Sequence, residues 1–288
     1  MWHQQSALVT GASTGIGRAI AQSLVEQGWR VFGSVRKAED GATVAGELGE
    51  NFHAVSFDVT NAEQIAQAAQ EVSDALGGRT LNGLVNNAGV AVGGPLRYIP
   101  LDDIEFQMNV NVLGPVRVTQ AFLPILGADK RYEGAPGRIV NMSSVAGKNA
   151  TPILGPYAMS KHALEAYSES LRRELLMHGI DVIIVGPGAI KTPIWDKADE
   201  IDAERYADTE YYGVLKGMRD MYKAVGQDGL EPSDVGALVA EILTMNKPKT
   251  RYAIMREKFT TWILPKFLPK RLVDRIIAKR FGFPKSAS

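Results

Sequence analysis

From residue 6 to about residue 255 the chain alternates short apolar runs with longer segments that are apolar on one side only. Ser6-Ala7-Leu8-Val9-Thr10 is a brief run of small and apolar residues, the pattern of a strand covered on both faces. Within residues 18–27, Ile20, Ala21, Leu24 and Val25 then recur at helical spacing. Further strands are predicted at residues 30–35, 52–57, 81–86, 138–142, 181–185 and 251–255. Between them the pattern predicts a long helix over 102–126, one from Tyr157 to about His178, and one near 233–245. Strand and helix in regular alternation imply an α/β fold: a doubly wound parallel sheet with helices on both faces. No Pro/Gly/Ser linker divides residues 1–256, so one domain is expected there, followed by an extension over 257–288. In such sheets ligands lie beyond the carboxyl ends of the strands.

Composition narrows the function classes. The 288 residues carry no formal net charge, which gives no electrostatic footprint for nucleic acid. Cysteine is absent, which excludes a disulfide framework and thiolate chemistry and fits a reducing cytoplasm. The four histidines, His3, His53, His162 and His178, are dispersed and offer no metal-ligand cluster. Met1-Trp2-His3-Gln4-Gln5 has neither the basic start nor the apolar core of a secretory signal, and no apolar run is long enough to span a bilayer.

Two local patterns carry chemistry. Gly11-Ala12-Ser13-Thr14-Gly15-Ile16-Gly17 lies between the first strand and the first helix. A strand, a glycine-rich turn and a helix N-terminus form an anion cradle, because free N–H groups point outward there. Glycines at 11, 15 and 17 allow a tight turn, close approach of a pyrophosphate and close packing of helix on strand. The spacing is GxxxGxG rather than GxGxxG. The second pattern is Tyr157-Ala158-Met159-Ser160-Lys161, with Ser144 upstream. On a helix Tyr157 and Lys161 share a face, and an ammonium beside a phenol favours phenolate, drawing its pKa down from about 10. Such a phenol is a proton donor for a carbonyl under reduction, and a nearby serine hydroxyl can hold the substrate oxygen.

Taken in order, these residues closely resemble the short-chain dehydrogenase/reductase family. Thr10, Gly11, Gly15, Ile16 and Gly17 match its cofactor loop, and Asn86-Asn87-Ala88-Gly89 its mid-sheet motif. Asn111, Ser144, Tyr157 and Lys161 match its catalytic tetrad, and Pro187-Gly188 followed by Thr192 matches its motif after strand six. The resemblance implies a Rossmann fold. It makes Tyr157 the general acid in reduction and Lys161 the ligand of the nicotinamide ribose. Ser144, favoured over Ser143 by its interval to Tyr157, binds the substrate oxygen. Asn111 anchors a water that links Lys161 to solvent. Ser13, Thr14, Asn87, Ala88, Gly89, Pro187, Gly188, Ile190 and Thr192 are the further cofactor contacts, with Asp58 and Val59 bracketing adenine.

The cofactor is narrowed at the end of strand two, which reads Gly33-Ser34-Val35-Arg36-Lys37. An acid there would bind the ribose diol and repel a 2′-phosphate; none is present, and Arg36 with Lys37 can bind that phosphate instead. NADP(H) is therefore expected, with NAD(H) the alternative, although Thr14 stands at a position often basic in NADP-preferring relatives.

The resemblance implies that residues 193–228 form a substrate lid. Pro193-Ile194-Trp195, Tyr206, Tyr211, Tyr212, Leu215, Met218, Met221 and Tyr222 suit a lipophilic ligand such as a steroid, retinoid or acyl chain, or else pack lid helices on the core. From Phe259 the extension carries Leu272, Val273, Ile276, Ile277 and Phe281 at helical spacing, with Arg271, Arg275, Lys279 and Arg280 largely opposite. Such a helix can lie on an anionic membrane, close the pocket, meet a second subunit, or pack on its own domain. The function expected is NADP(H)-dependent interconversion of a lipophilic alcohol and its ketone or aldehyde by a cytoplasmic homo-oligomer. The alternatives are an NAD-linked dehydrogenase working oxidatively and a nucleotide-binding regulator without turnover.

Overall fold

In the computed structural model, residues 4–192, 203–256 and 267–283 are described. The expectations for Pro193-Ile194-Trp195, for the Tyr222 side chain and for residues 259–266 fall outside them. Seven strands form one all-parallel sheet: β1 (Ser6–Val9), β2 (Arg30–Val35), β3 (Phe52–Ser56), β4 (Gly83–Asn86), β5 (Arg138–Met142), β6 (Asp181–Pro187) and β7 (Arg251–Ile254). Their order is β3-β2-β1-β4-β5-β6-β7, so the winding reverses between β1 and β4.

Alternation along each strand fills two cores. Ala7 and Val9 face one side with Val31, Val85, Val140 and Ile183, under α1 (Gly15–Glu26), α2 (Ala38–Leu48) and α8 (Pro232–Thr244). Leu8 faces the other with Phe32, Leu84, Ile139 and Val182. That side is covered by α3 (Ala62–Leu76), α5 (Gly114–Phe122) and the C-terminal end of α6 (Gly155–Glu174). Burial on both faces explains why the strands read as continuous apolar runs.

The expected single helix over 102–126 is instead interrupted twice. It runs as α4 (Leu101–Met108), a π-helical turn at Asn109–Leu113, α5, and a second π-helical turn at Pro124–Ala128. Pro115 and Pro124 lack the N–H that would continue the i→i−4 ladder, and the Gly114 N–H bonds the Asn109 carbonyl instead. The first widened turn carries Asn111. Other boundaries move by a few residues: α1 starts at Gly15, straight from the glycine turn, and β4 at Gly83.

A third, smaller cluster joins Ile153, Tyr206, Val214, Leu215 and Met218, where α7 (Tyr212–Gln227) meets the β5–α6 loop. Ile153 holds a left-handed backbone at φ 69, which costs a β-branched residue about 1–3 kcal/mol, and its carbonyl accepts from Gly94 N–H at 2.8 Å. Phe281 and Phe283 after α9 (Lys270–Arg280) pack on this cluster, so this end of the extension lies on its own chain. Leu272 and Ile276 do not join it and stay exposed. No helix among the described residues is long and apolar enough to cross a membrane.

Candidate active site

The loops after β1 and β4 leave the sheet at the winding reversal and are joined there. Thr10 Oγ1 accepts from the Asn87 and Ala88 N–H groups at 2.9 and 3.0 Å, and Asn87 Nδ2 donates to the Thr10 carbonyl at 2.9 Å. Ser34 pins the glycine turn to β2, its Oγ accepting from Gly11 N–H at 3.0 Å. Gly11 and Gly15 adopt φ +67 and +57, open to glycine at little cost. A Cβ on Gly17 would lie 2.2 Å from the Gly11 carbonyl oxygen and 2.4 Å from Asn87 Nδ2. Thr14, exposed at the N-cap of α1, makes no side-chain cap, and the first turn of α1 holds no acid. Turn, missing Cβ and uncapped helix end together fit the pyrophosphate of a dinucleotide. Ser13 is half-buried beside them, and Ile16 packs into the core below.

At the β2–β3 end, Arg36 is exposed just past β2 and Lys37 is the N-cap of α2. Burial pushes the Asp58 carboxyl up, but hydrogen bonds from the Thr60 hydroxyl and N–H, with the Arg36 charge added, hold it below the usual range. Val59 is buried and packs against Gly114. On the far side, Pro187 is buried at the end of β6 and Gly188 N–H donates to the Ile254 carbonyl at 2.8 Å. Ile190 is a buried core residue, and Thr192 is half-buried two positions further on.

The four tetrad candidates converge between these two ends. Ser144, at the end of β5, is hydrogen-bonded to the Tyr157 phenol; its Oγ accepts from Ala146 N–H at 3.1 Å and lies 3.4 Å from the Pro187 carbonyl, the alternative acceptor for its one proton. One turn along α6, Lys161 Nζ lies 5.7 Å from the centre of the Tyr157 ring and donates to the Met142 carbonyl at 2.8 Å. Asn111 donates to the Val90 carbonyl at 2.8 Å and to Ser160 Oγ at 3.0 Å, while its Oδ1 accepts from Val90 N–H at 2.9 Å. A Cβ on exposed Gly89 would lie 3.2 Å from Asn111 Oδ1 and 3.8 Å from Lys161 Nζ, so both face the same small space. Asn111 thereby ties the π-helical turn, the β4 loop and α6 together.

One electrostatic expectation needs correction. The Tyr157 pKa is raised, not lowered: burial pushes the phenol up and the Ser144 hydrogen bond only partly offsets it. Lys161 is itself buried, which lowers its pKa to about 8 against the opposing pull of Glu165. With its Nζ turned to the Met142 carbonyl, the lysine is not among the groups that shift the phenol.

Several residues that hold this site escape motif reading. Asn86, Asn141 and Ser168 form a buried chain of bonds at 2.8 Å linking β4, β5 and α6. Glu165, with Arg251, sits directly behind the serine loop. The sequence does carry one signal for the latter, an acid continuing the Tyr157–Lys161 face at the next i+4 position.

A parallel sheet with a dinucleotide cradle at its winding reversal and a phenol beside an ammonium defines a nicotinamide-dependent oxidoreductase. The chain belongs to the short chain dehydrogenase family, whose profile matches residues 5–203. It is 38% identical over 273 residues to an NADPH-dependent 3-dehydrocapnine reductase of Ornithobacterium rhinotracheale, covering 95% of this chain and 96% of that one. It is 32% identical over 293 residues to human (Homo sapiens) retinol dehydrogenase 5, covering 97% and 89% respectively. Among solved structures, a short chain dehydrogenase/reductase from Burkholderia phymatum in complex with NAD superposes with TM-score 0.76 at 27% identity, over 100% of both chains.

Proposed function

We propose that this NAD(P)-dependent oxidoreductase reduces a ketone or aldehyde on a lipophilic substrate with NADPH, using Tyr157 as general acid. The observation that carries this reading is the Tyr157 phenol hydrogen-bonded to Ser144 with Lys161 one turn away. Bound NADPH supplies a hydride to the carbonyl carbon. Ser144 and Tyr157 hold the carbonyl oxygen from one side, and Tyr157 delivers a proton to it. Lys161 binds the nicotinamide ribose through its ammonium, and Asn111 keeps α6 and the β4 loop at fixed separation. Gly11, Ser13, Thr14, Gly15, Ile16 and Gly17 hold the pyrophosphate end, with Asn87, Ala88, Gly89, Pro187, Gly188, Ile190 and Thr192 along the nicotinamide side. Residues 203–228 act as a lid. Ion pairs Arg97–Glu210 and Arg205–Asp103, each at 3.0 Å, latch it to the chain around α4. The likeness to a retinol dehydrogenase supports a lipophilic substrate, whereas Ile153, Tyr206, Leu215 and Met218 are buried against one another and pack these helices on the core.

NADP preference rests on Arg36 and Lys37 where NAD-binding sheets carry an acid, supported by the NADPH-dependent relative. An NAD-linked reading is favoured by the NAD-bound neighbour. Titration with NADPH and NADH, followed by nicotinamide fluorescence, separates the two. NADPH is expected to bind at least about tenfold tighter, a difference of about 1.4 kcal/mol for the charged contacts to the 2′-phosphate. Arg36→Glu is expected to remove that preference, and equal binding of both cofactors by the unaltered protein sinks it.

The pH dependence follows from Lys161. Its ammonium is the working form, and activity is lost as pH rises through its pKa. The value of kcat/KM for NADPH reports groups of the free enzyme. A falling alkaline limb near pH 8 is therefore expected in a stopped-time pH series.

A further inference from the structure

We infer that Glu165 and Arg251 form a positioning pair that fixes the Ser143–Ser144 segment and sets a carboxylate one helical turn beyond Lys161. The inference rests on the reading of the site proposed above. Glu165 is 1% exposed and follows Lys161 by one helical turn on the face that begins at Tyr157. Its Oε1 accepts from Ser143 Oγ at 2.8 Å and from Arg251 Nη2 at 2.9 Å; its Oε2 accepts from Arg251 Nε at 2.9 Å. Lys148 Nζ lies 3.2 Å from the same carboxylate. The Arg251 guanidinium, at the start of β7, also donates to the Ser144 carbonyl at 3.3 Å. Both serines at the end of β5 are thus held from behind, one by its hydroxyl and one by its carbonyl.

The backbone is shaped around this pair. A Cβ on Gly147 would lie 2.6 Å from Ser143 Oγ and 3.0 Å from Glu165 Oε1, and a Cβ on Gly186 would lie 2.6 Å from Arg251 Nη2. Burying these charges carries a desolvation penalty that apolar side chains of the same volume avoid. Stability is therefore a poor account of the pair, whereas its place behind Ser144 and beside Lys161 is a direct one.

The charge role follows from what surrounds Lys161. Tyr157 and Glu165 face it from its own helix, the Met142 carbonyl from β5, and the neutral Asn111 amide across Gly89. Arg251 from β7 and Lys148 from the β5–α6 loop stand beyond the Glu165 carboxylate, which screens them. Burial lowers the lysine pKa to about 8, and Glu165 opposes that fall. Without the carboxylate, burial acts on Lys161 unopposed, and the lysine loses its proton at lower pH.

Three full-length variants test the two roles. The first readout is an NMR titration of protein labelled with ¹³C-lysine, with the Lys161 resonance assigned by its loss in Lys161→Arg. It needs no substrate. Glu165→Gln is expected to lower the Lys161 titration by about one pH unit or more, since loss of a close opposite charge shifts a buried group by that much. Lys148→Gln, at an exposed position, moves it upward. Arg251→Lys keeps the charge but lacks the forked grip, so it leaves the titration in place. The second readout is NADPH-dependent reduction of 2-undecanone, where Arg251→Lys is expected to lose about tenfold or more in kcat through misplacement of Ser144. An unmoved Lys161 titration in Glu165→Gln and Lys148→Gln overturns the charge role, and full kcat in Arg251→Lys overturns the positioning role. Should Glu165→Gln fail to fold, the other two carry the test. If the unaltered protein does not reduce the ketone while the titration shifts as stated, the positioning role falls with the proposed reaction and the charge role stands.

Discussion

Tyr157→Phe lowers kcat for NADPH-dependent carbonyl reduction by about 10²–10⁴-fold, the usual worth of a positioned general acid, and leaves NADPH binding within about twofold. The ring stays in place because only one oxygen is removed, and Ser144 keeps its bonds with the Ala146 N–H and the Pro187 carbonyl. Cofactor contacts on the glycine turn and the β4 loop are untouched. Fluorescence titration and turnover measured on the same preparation separate the two quantities. Full turnover in the variant would remove Tyr157 from the chemistry. Turnover by neither protein, with NADPH bound by both, would instead support a nucleotide-binding regulator.

Gly17→Val has the second large effect, and a different character. Its Cβ must displace the Gly11 carbonyl, a backbone atom that cannot rotate aside, along with the Asn87 amide. Overpacking of this kind costs about 1–3 kcal/mol. The displaced groups belong to the cradle itself, so a loss of that size in cofactor affinity corresponds to a fall of up to roughly 100-fold. Thermal unfolding is expected several degrees lower, at about 2–4 °C per kcal/mol for a chain of this size class. Gly46→Ala is the control: a Cβ there meets nothing within 4 Å on the exposed side of α2. That change is expected to leave cofactor binding intact and to stabilise by about 0.4–1 kcal/mol. If Gly17→Val bound NADPH as well as the control does, the pyrophosphate would not sit against this turn.

The order of strands and helices was legible because parallel strands covered on both faces read as unbroken apolar runs, as Ala7-Leu8-Val9 does. The glycine turn and the Tyr157–Lys161 pair were legible because their chemistry depends on local spacing. The broken helix around Asn111 was not, since an apolar period survives a one-residue widening and only Pro115 and Pro124 marked it. The raised Tyr157 pKa was hidden for another reason: i, i+4 spacing says that two side chains share a face, not that burial acts on the phenol or that the lysine turns to the Met142 carbonyl. Glu165 and Arg251 stand 86 residues apart in sequence, and their union depends on β7 pairing with β6. Resemblance to a family identifies residues that recur in motifs, and these two support the site from outside them.

The bonds between Thr10 and Asn87 have a consequence for the rate at which the cofactor arrives. They couple the two loops on either side of the winding reversal within the folded chain itself, so the entropy of ordering them is incurred once, during folding. Binding then meets a preorganised surface and requires little rearrangement. Association of NADPH should accordingly be a single kinetic phase, linear in concentration, with differences in affinity among cradle variants appearing chiefly in how fast the nucleotide leaves. Asn87→Ala, which cuts the side-chain half of this coupling, is where a slower and concentration-saturating association would show itself in stopped flow.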